Sequence, residues 1–434
     1  MLDIRYIREN AAAVAENARR KGYDVNIDEL LEFDASKRSL QQRADELREK
    51  RNDISSRMKG GRPSDDLIAE GKTIKEELAG VEAELKQVDD DFMTLYKKVP
   101  NMALPDVPVG ASEDENVVAK KVGEPRVYDF KVRNHAEIAE LHGWLDKERA
   151  AKVAGSRFTY LKGDMVRLQF ALIQFVMDKL SDQTFIDEVI RENKLQVSNK
   201  PFLPVLPPYM LRTDLYDAMD RLEPRDDRYK IEGDDLWLQG SAEHVLGSMH
   251  ADEVIDEADL PLRYIGYATS FRREAGTYGK DMEGMFRMHQ FDKLEMESLG
   301  VSENGLNEHL FMVAVQEKIM LLLEIPYQVL LKCTADIGKP NARGVDIEAW
   351  LPGQNKYRET HTADYMTDYQ ARRLKTRVRR EAGLELIHTN DATALPLSRG
   401  PIAILETHQN EDGSVTIPEA LRPYMGGRAT IGEK

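Results

Sequence analysis

From Leu67 onward, Gly71, Ile74, Leu78, Val81, Leu85, Val88, Phe92, Leu95 and Val99 follow one another at alternating steps of four and three. All but Gly71 are apolar, and a 3.5-residue period kept over that length marks a helix that lies against another helix. Upstream, Leu40, Ala44, Leu47, Ile54 and Met58 hold the same phase, with Arg51 interrupting it. Neither segment has a second apolar face, so each is expected to cover the other. Between them, Lys59-Gly60-Gly61-Arg62-Pro63-Ser64 reads as a helix-breaking turn whose Ser64 caps the second helix. The expectation is an antiparallel coiled-coil hairpin with arms of about 48 Å at 1.5 Å per residue. Arg43, Arg48, Lys50, Arg51, Arg57, Lys59 and Arg62 gather toward its tip and Asp89-Asp90-Asp91 toward its base, which predicts a positive far end. Taken alone, such a rod serves equally as a solvated or a dimerising coiled coil.

The chain of 434 residues is longer than one core usually serves, about 250–300 residues. A proline-punctuated stretch over 100–108, followed by Glu113-Asp114-Glu115, places the expected boundary, giving domains 1–110 and 111–434. With 61 Lys+Arg against 77 Asp+Glu, the net charge is -16, so RNA contact would have to rest on a local positive field. Cys333 is the only cysteine, which excludes an intramolecular disulfide and a thiolate-rich zinc site and fits a reducing cytoplasm. The first 20 residues are charged throughout, so neither a signal peptide nor a membrane span is expected there. No His-Glu-x-x-His, phosphate-loop or glycine-rich dinucleotide signature occurs.

The second domain reads as α+β. Helices are expected from Gly163-Asp164 and over 310–323, strands over 262–274, 327–332 and 345–351, together an antiparallel sheet flanked by helices. The most informative stretch is Phe271-Arg272-Arg273-Glu274, a loop with Gly276, Gly279 and Gly284, then a second strand-like run over 286–297. Alternation would put Arg272 with Glu274 on one face, and Arg287 with Phe291 and Glu295. Arg287 and Phe291 would lie roughly 13 Å apart, about the span from a nucleotide's terminal phosphate to its base. Polar alternation is equally what a solvent-facing sheet shows, and the hairpin alone leaves that open.

Arg272-x-Glu274 with Arg287-Met288-His289-Gln290-Phe291 resembles motif 2 of class II aminoacyl-tRNA synthetases, and Asp292-Lys293-Leu294-Glu295 after it is similar to the seryl branch. Residues 203–206 with Pro207-Pro208 resemble motif 1, the dimer-interface element, and 393–406 with Arg399 resemble motif 3. Ser241-Ala242-Glu243 is similar to the family's Thr-Ala-Glu, and Tyr357-Arg358-Glu359 and Gln370-Ala371-Arg372-Arg373 are also family-like. With the hairpin, the resemblance covers essentially the whole chain.

The resemblance implies activation of L-serine with ATP and its transfer to tRNA(Ser), with tRNA(Sec) a further acceptor, by a cytoplasmic homodimer. It assigns catalysis to Arg272, Glu295 and Arg399. ATP contacts fall to Arg272, Arg273, Glu274, Arg287, Phe291, Glu359, Thr360, His361, Thr362 and Arg399, and Mg2+ to Glu359 and Thr362. Serine contacts fall to Ser241, Ala242, Glu243, Arg272, Glu295, Asp391 and Thr393. This chain departs from the family where Ser-Ser-Cys-Ser-Asn becomes His361-Thr362-Ala363-Asp364-Tyr365 and Asn-Gly-Ser becomes Asp391-Ala392-Thr393. The basic run of Arg372, Arg373, Lys375, Arg377, Arg379 and Arg380 would contact the tRNA acceptor end or form a solvated face. A paralogue charging a carrier protein and an inactive synthetase-like binding module are the competing readings; the helical arm speaks against the first and the complete set of site residues against the second.

Overall fold

The structure, a computed structural model, describes residues 1–59, 64–274 and 284–433. The expected turn at Gly60 to Pro63 with Arg62, and Gly276 and Gly279 of the second hairpin, lie outside the described residues. The chain divides into two compact units, Met1–Met102 and Ala103–Lys434.

In the first unit, helix α1 (Ile27–Met58) starts on Asn26, whose side chain accepts from the Glu29 amide, and helix α2 (Asp65–Tyr96) starts on Ser64, which accepts from Leu67. The two run antiparallel: Arg43 pairs with Glu77 at 2.7 Å and Arg48 with Glu82 at 2.9 Å, while Lys37 meets Asp89. Ala44, Leu47, Leu78 and Val81 are buried between them, as the heptad phase requires, and Arg51 is exposed. Gly71 has a reason to break the apolar run, because a Cβ there would stand 3.2 Å from the Met58 methyl. The expected positive tip is weaker than a charge tally implies, since Arg43 and Arg48 are matched by acids across the hairpin and Arg57 by Asp53 at 3.5 Å.

The second unit is built on eight strands: β1 (Val117–Val122), β2 (Leu203–Val205), β3 (Leu262–Phe271), β4 (Gln290–Gly300), β5 (Tyr327–Leu331), β6 (Arg343–Leu351), β7 (Lys356–Thr367) and β8 (His388–Pro396). Their order across the sheet is β1-β5-β6-β7-β8-β4-β3-β2, antiparallel throughout except for β2 beside β3. Alternate residues such as Leu294, Met296, Ile347 and Ala363 point to one face, where helices α3 (Asp164–Ser181), α4 (Gly305–Leu322) and α5 (Arg399–Thr407) cover them with Leu172, Phe175, Phe311, Ile319 and Ile402. One buried ion pair ties the layers: Arg263 of β3 makes paired bonds to Glu308 of α4 at 2.9 and 2.7 Å, lies over the Phe311 ring and donates to the Lys200 carbonyl. Removing one partner of such a pair costs about 3–5 kcal/mol, because the other charge stays buried. The opposite face of the sheet carries the polar residues.

Candidate active site

The β3–β4 hairpin pairs from Leu262 with Leu299 to Phe271 with Gln290, and the Arg272 amide adds one more bond to the His289 carbonyl. The strands are shorter than expected at this end. Glu274 has φ 52° and Arg287 precedes β4, so neither belongs to the alternating pleat. Both nevertheless line the cleft, brought together by an ion pair of 2.6 Å between Arg287 Nε and Glu274 Oε2. Arg272 donates through Nε to the Gly240 carbonyl at 2.8 Å and sets its guanidinium 5.3 Å from the centre of the Phe291 ring. Cation, ring and carboxylate thus share one cleft. Arg273 does not join them; it is exposed, bonds the Arg228 carbonyl and lies over Tyr229.

Glu359 and Thr362 stand three apart on β7, a spacing that puts side chains on opposite faces of a regular strand. A β-bulge repairs this: Ile347 pairs with His361 but Glu348 with Glu359, so Thr360 is the extra residue and Glu359 and Thr362 both face the cleft. Thr360 is turned to bond the Ile347 carbonyl, and His361 is buried against Thr360, where burial lowers its imidazole to about 3. Thr362 Oγ1 is a buried oxygen facing Asp346 across the strands. Arg399, at the start of α5, reaches Glu359 Oε1 at 3.0 Å and lies 4.7 Å over Phe286, whose ring Arg358 also covers at 3.9 Å.

The inner lobe of the cleft, about 760 Å³, has Arg221, Glu243, Lys293, Asp364 and Asp391 in its walls. Lys293 is the residue that sequence reasoning passed over: its ammonium donates to Ser241 Oγ at 2.9 Å, meets Glu295 and stands 3.8 Å from Glu243. It lies two residues from both Phe291 and Glu295, so strand alternation alone would have placed it on their face. Burial opposes the charge on Glu243, but Lys293 and His244 prevail and hold its carboxyl well below the usual range. Burial pushes Asp391 up to about 8 against the pull of Arg221, 3.4 Å away, with Asp364 and Glu243 adding to the rise. Thr393 lines the outer lobe, whereas Ala242 is wholly buried and packs with Leu246 and Tyr264. Among the described residues no three His, Cys, Asp or Glu side chains form a cage for a metal ion.

Four cations of the basic run have acidic partners, while Lys375 is exposed. Arg372 pairs with Asp368 at 2.6 Å, Arg373 with Asp220 at 2.8 Å, Arg379 with Asp256 at 3.2 Å and Arg380 with Glu303 at 2.7 Å.

Comparison with known proteins places this geometry. Residues 1–103 match the seryl-tRNA synthetase N-terminal domain, and residues 228–408 the tRNA synthetase class II core domain (G, H, P, S and T). The serine–tRNA ligase of Methanocella arvoryzae is 40% identical over 98% of this chain and 99% of its own. A crystal structure of seryl-tRNA synthetase from Pyrococcus horikoshii complexed with ATP has a TM-score of 0.88 at 37% identity, covering 99% of both chains. The cytoplasmic serine–tRNA ligase of Naegleria fowleri in complex with AMP has a TM-score of 0.83 at 29% identity, covering 99% of this chain and 98% of its own.

Proposed function

The chain belongs to the seryl-tRNA synthetase family, and from that premise we propose how its own residues activate serine with ATP and load it onto tRNA. A serine carboxylate oxygen attacks the α-phosphorus of ATP; the new P–O bond forms as the bond to pyrophosphate breaks. Two anions must approach, so the barrier is electrostatic and positional. In this reading Arg272, already fixed by the Gly240 carbonyl, bridges the serine carboxylate and the α-phosphate. Phe291 takes one face of the adenine and Arg399 the other, a cation over a π-system. Glu274 accepts from the adenine amino group once Arg287 turns from it to the γ-phosphate. The side chains of Arg273, Thr360 and His361 are engaged elsewhere, although Thr360 lines the cleft beside Glu359.

Glu359 and the buried Thr362 hydroxyl, both hard oxygen donors in the cleft wall, fit a magnesium ion, which takes one or two protein oxygens beside phosphate and water. When bound, that ion supplies positive charge to the phosphate oxygens. Ser241, Glu243, Glu295 and Thr393 are the groups proposed to read serine's ammonium and hydroxyl, with Asp391 beside them. Alanine would leave buried polar groups unpaired, at about 1–3 kcal/mol each.

The helical hairpin of the first unit is proposed to contact tRNA(Ser) by shape and backbone. The homodimer is proposed on the apolar, exposed Leu203, Leu206 and Met210 around the motif 1 resemblance, and the cytoplasm on the lone Cys333. No helix among the described residues is long and apolar enough to cross a membrane. The observation that carries the mechanism is Arg272 lying over Phe291 in a cleft that also holds Glu274, Glu359, Thr362 and Arg399. Serine-dependent exchange of pyrophosphate into ATP tests it; absence of exchange would reject it.

A further inference from the structure

The amino-acid end of the cleft gathers more carboxyl groups than one serine ammonium answers. Asp364 of β7 and Asp391 of β8 stand directly opposite each other, and Asp391 stands opposite Glu297 of β4. Cross-strand partners have Cα atoms about 4.5–5.5 Å apart, and like charges so placed repel. Glu243, Glu295 and Asp346 share the region, and all six carboxylates belong to residues at most 9% exposed. With Arg272, Arg287 and Arg399 given to the nucleotide and Arg358 lying over Phe286, the cations left in the cleft walls are Arg221, Lys293 and Lys332. Lys293 is taken by Ser241, Glu243 and Glu295; Arg221 is shared between Asp391 and Asn341; Lys332 lies 3.7 Å from both Asp336 and Asp346.

Asp364 remains. It is 7% exposed, lines the cleft and has an Oδ1 with no hydrogen-bond partner, and among the described residues no ion pair reaches it. The fold makes space for this carboxylate: a Cβ on Gly344, its other cross-strand neighbour, would lie 2.9 Å from that same oxygen. Where the seryl family pattern has a neutral serine and asparagine, this chain has two facing acids, and a buried carboxylate oxygen that feels Arg221 and Lys332 at a distance but bonds neither leaves room for a cation from the occupant.

We propose that this cleft accepts, besides serine, a small L-α-amino acid whose β-carbon bears an ammonium, held between Asp364 and Asp391. The proposal rests on the cleft being an amino-acid-activating site. Replacing serine's hydroxyl by ammonium adds no heavy atom, so a pocket sized for serine admits it, and a hydrogen bond between two charged groups is roughly twice as strong as one between neutral groups. The chemistry is unchanged: the carboxylate attacks the α-phosphorus, pyrophosphate leaves, and the second ammonium takes no part in bond making.

The probe is L-2,3-diaminopropionate in the pyrophosphate exchange assay with the full-length protein. It is expected to support exchange, and in Asp364→Ser the ratio of its kcat/KM to that of serine is expected to fall about tenfold or more. A merely structural role for Asp364 would lower both substrates together and leave the ratio unmoved, which overturns the proposal. Failure of the probe either to support exchange or to inhibit serine-dependent exchange in the unaltered protein overturns it without recourse to any variant. If serine also fails, the reading of the cleft falls first, so the two failures are told apart.

Discussion

Arg399 Nη1 lies 3.0 Å from Glu359 Oε1 and 2.9 Å from the Glu359 carbonyl, so the group proposed to cover the adenine and the group proposed to hold magnesium are bound to each other. Binding of ATP has to part them. Glu359→Gln keeps the shape and removes the charge; we expect its apparent magnesium affinity in pyrophosphate exchange to fall about tenfold, or 1.4 kcal/mol. The serine KM should change little. A magnesium dependence equal to that of the unaltered protein would remove Glu359 from the ion's shell.

Arg272 is held by the backbone of Gly240 and reaches over Phe291, a preorganised donor in the cleft. Removal of such a donor typically costs about 100- to 1000-fold in rate. Arg272→Ala is expected to show a loss of kcat in that range with a thermal melt close to that of the parent. Full activity would mean that another group bears the developing charge.

Deletion of the hairpin over residues 43–77 removes the far part of α1 and α2 and leaves the sheet untouched. Pyrophosphate exchange should persist, and serine attachment to tRNA should fail. Equal retention of both activities would rule out a role of the arm in tRNA binding.

His309 is wholly buried beside Arg343, and burial first, with that guanidinium second, lowers its imidazole from 6.5 to about 3. The unfolded chain therefore binds a proton that the folded one refuses between those two values. Its contribution to stability is present in full above about pH 6.5 and is lost as pH falls toward 3, at about 1.4 kcal/mol per pH unit. Urea unfolding at several pH values between about 7 and 5 measures the slope. His309→Gln should reduce it by about one proton; an unchanged slope would show that His309 is not a neutral buried group.

Much of this was readable in the chain because it follows from strict periods. The seam from Leu67 to Val99 needed only the helical repeat, and Phe291 and Glu295 only the pleat. The period fails where the backbone departs from it: Glu359 and Thr362 share a face through a bulge at Thr360, and Glu274 and Arg287 meet outside the ladder. Resemblance to known motifs named Glu359 and Thr362, whereas alternation named Glu274 and Arg287 on a pleat that they do not join. Partners remote in sequence were not legible. Arg221 reaches Asp391 from 170 residues away, and Arg373, Arg379 and Arg380 of the basic run pair with Asp220, Asp256 and Glu303. Phe286, clasped by Arg358 and Arg399, carries no local signal beyond being aromatic near a loop.

A crystal structure with a nonhydrolysable seryl-adenylate analogue tests the central claim most directly. The adenine ring is expected between Phe291 and Arg399, the latter withdrawn from Phe286, with Arg272 on the phosphate mimic. An adenine bound away from Phe291, with Arg399 still lying on Phe286, would contradict it.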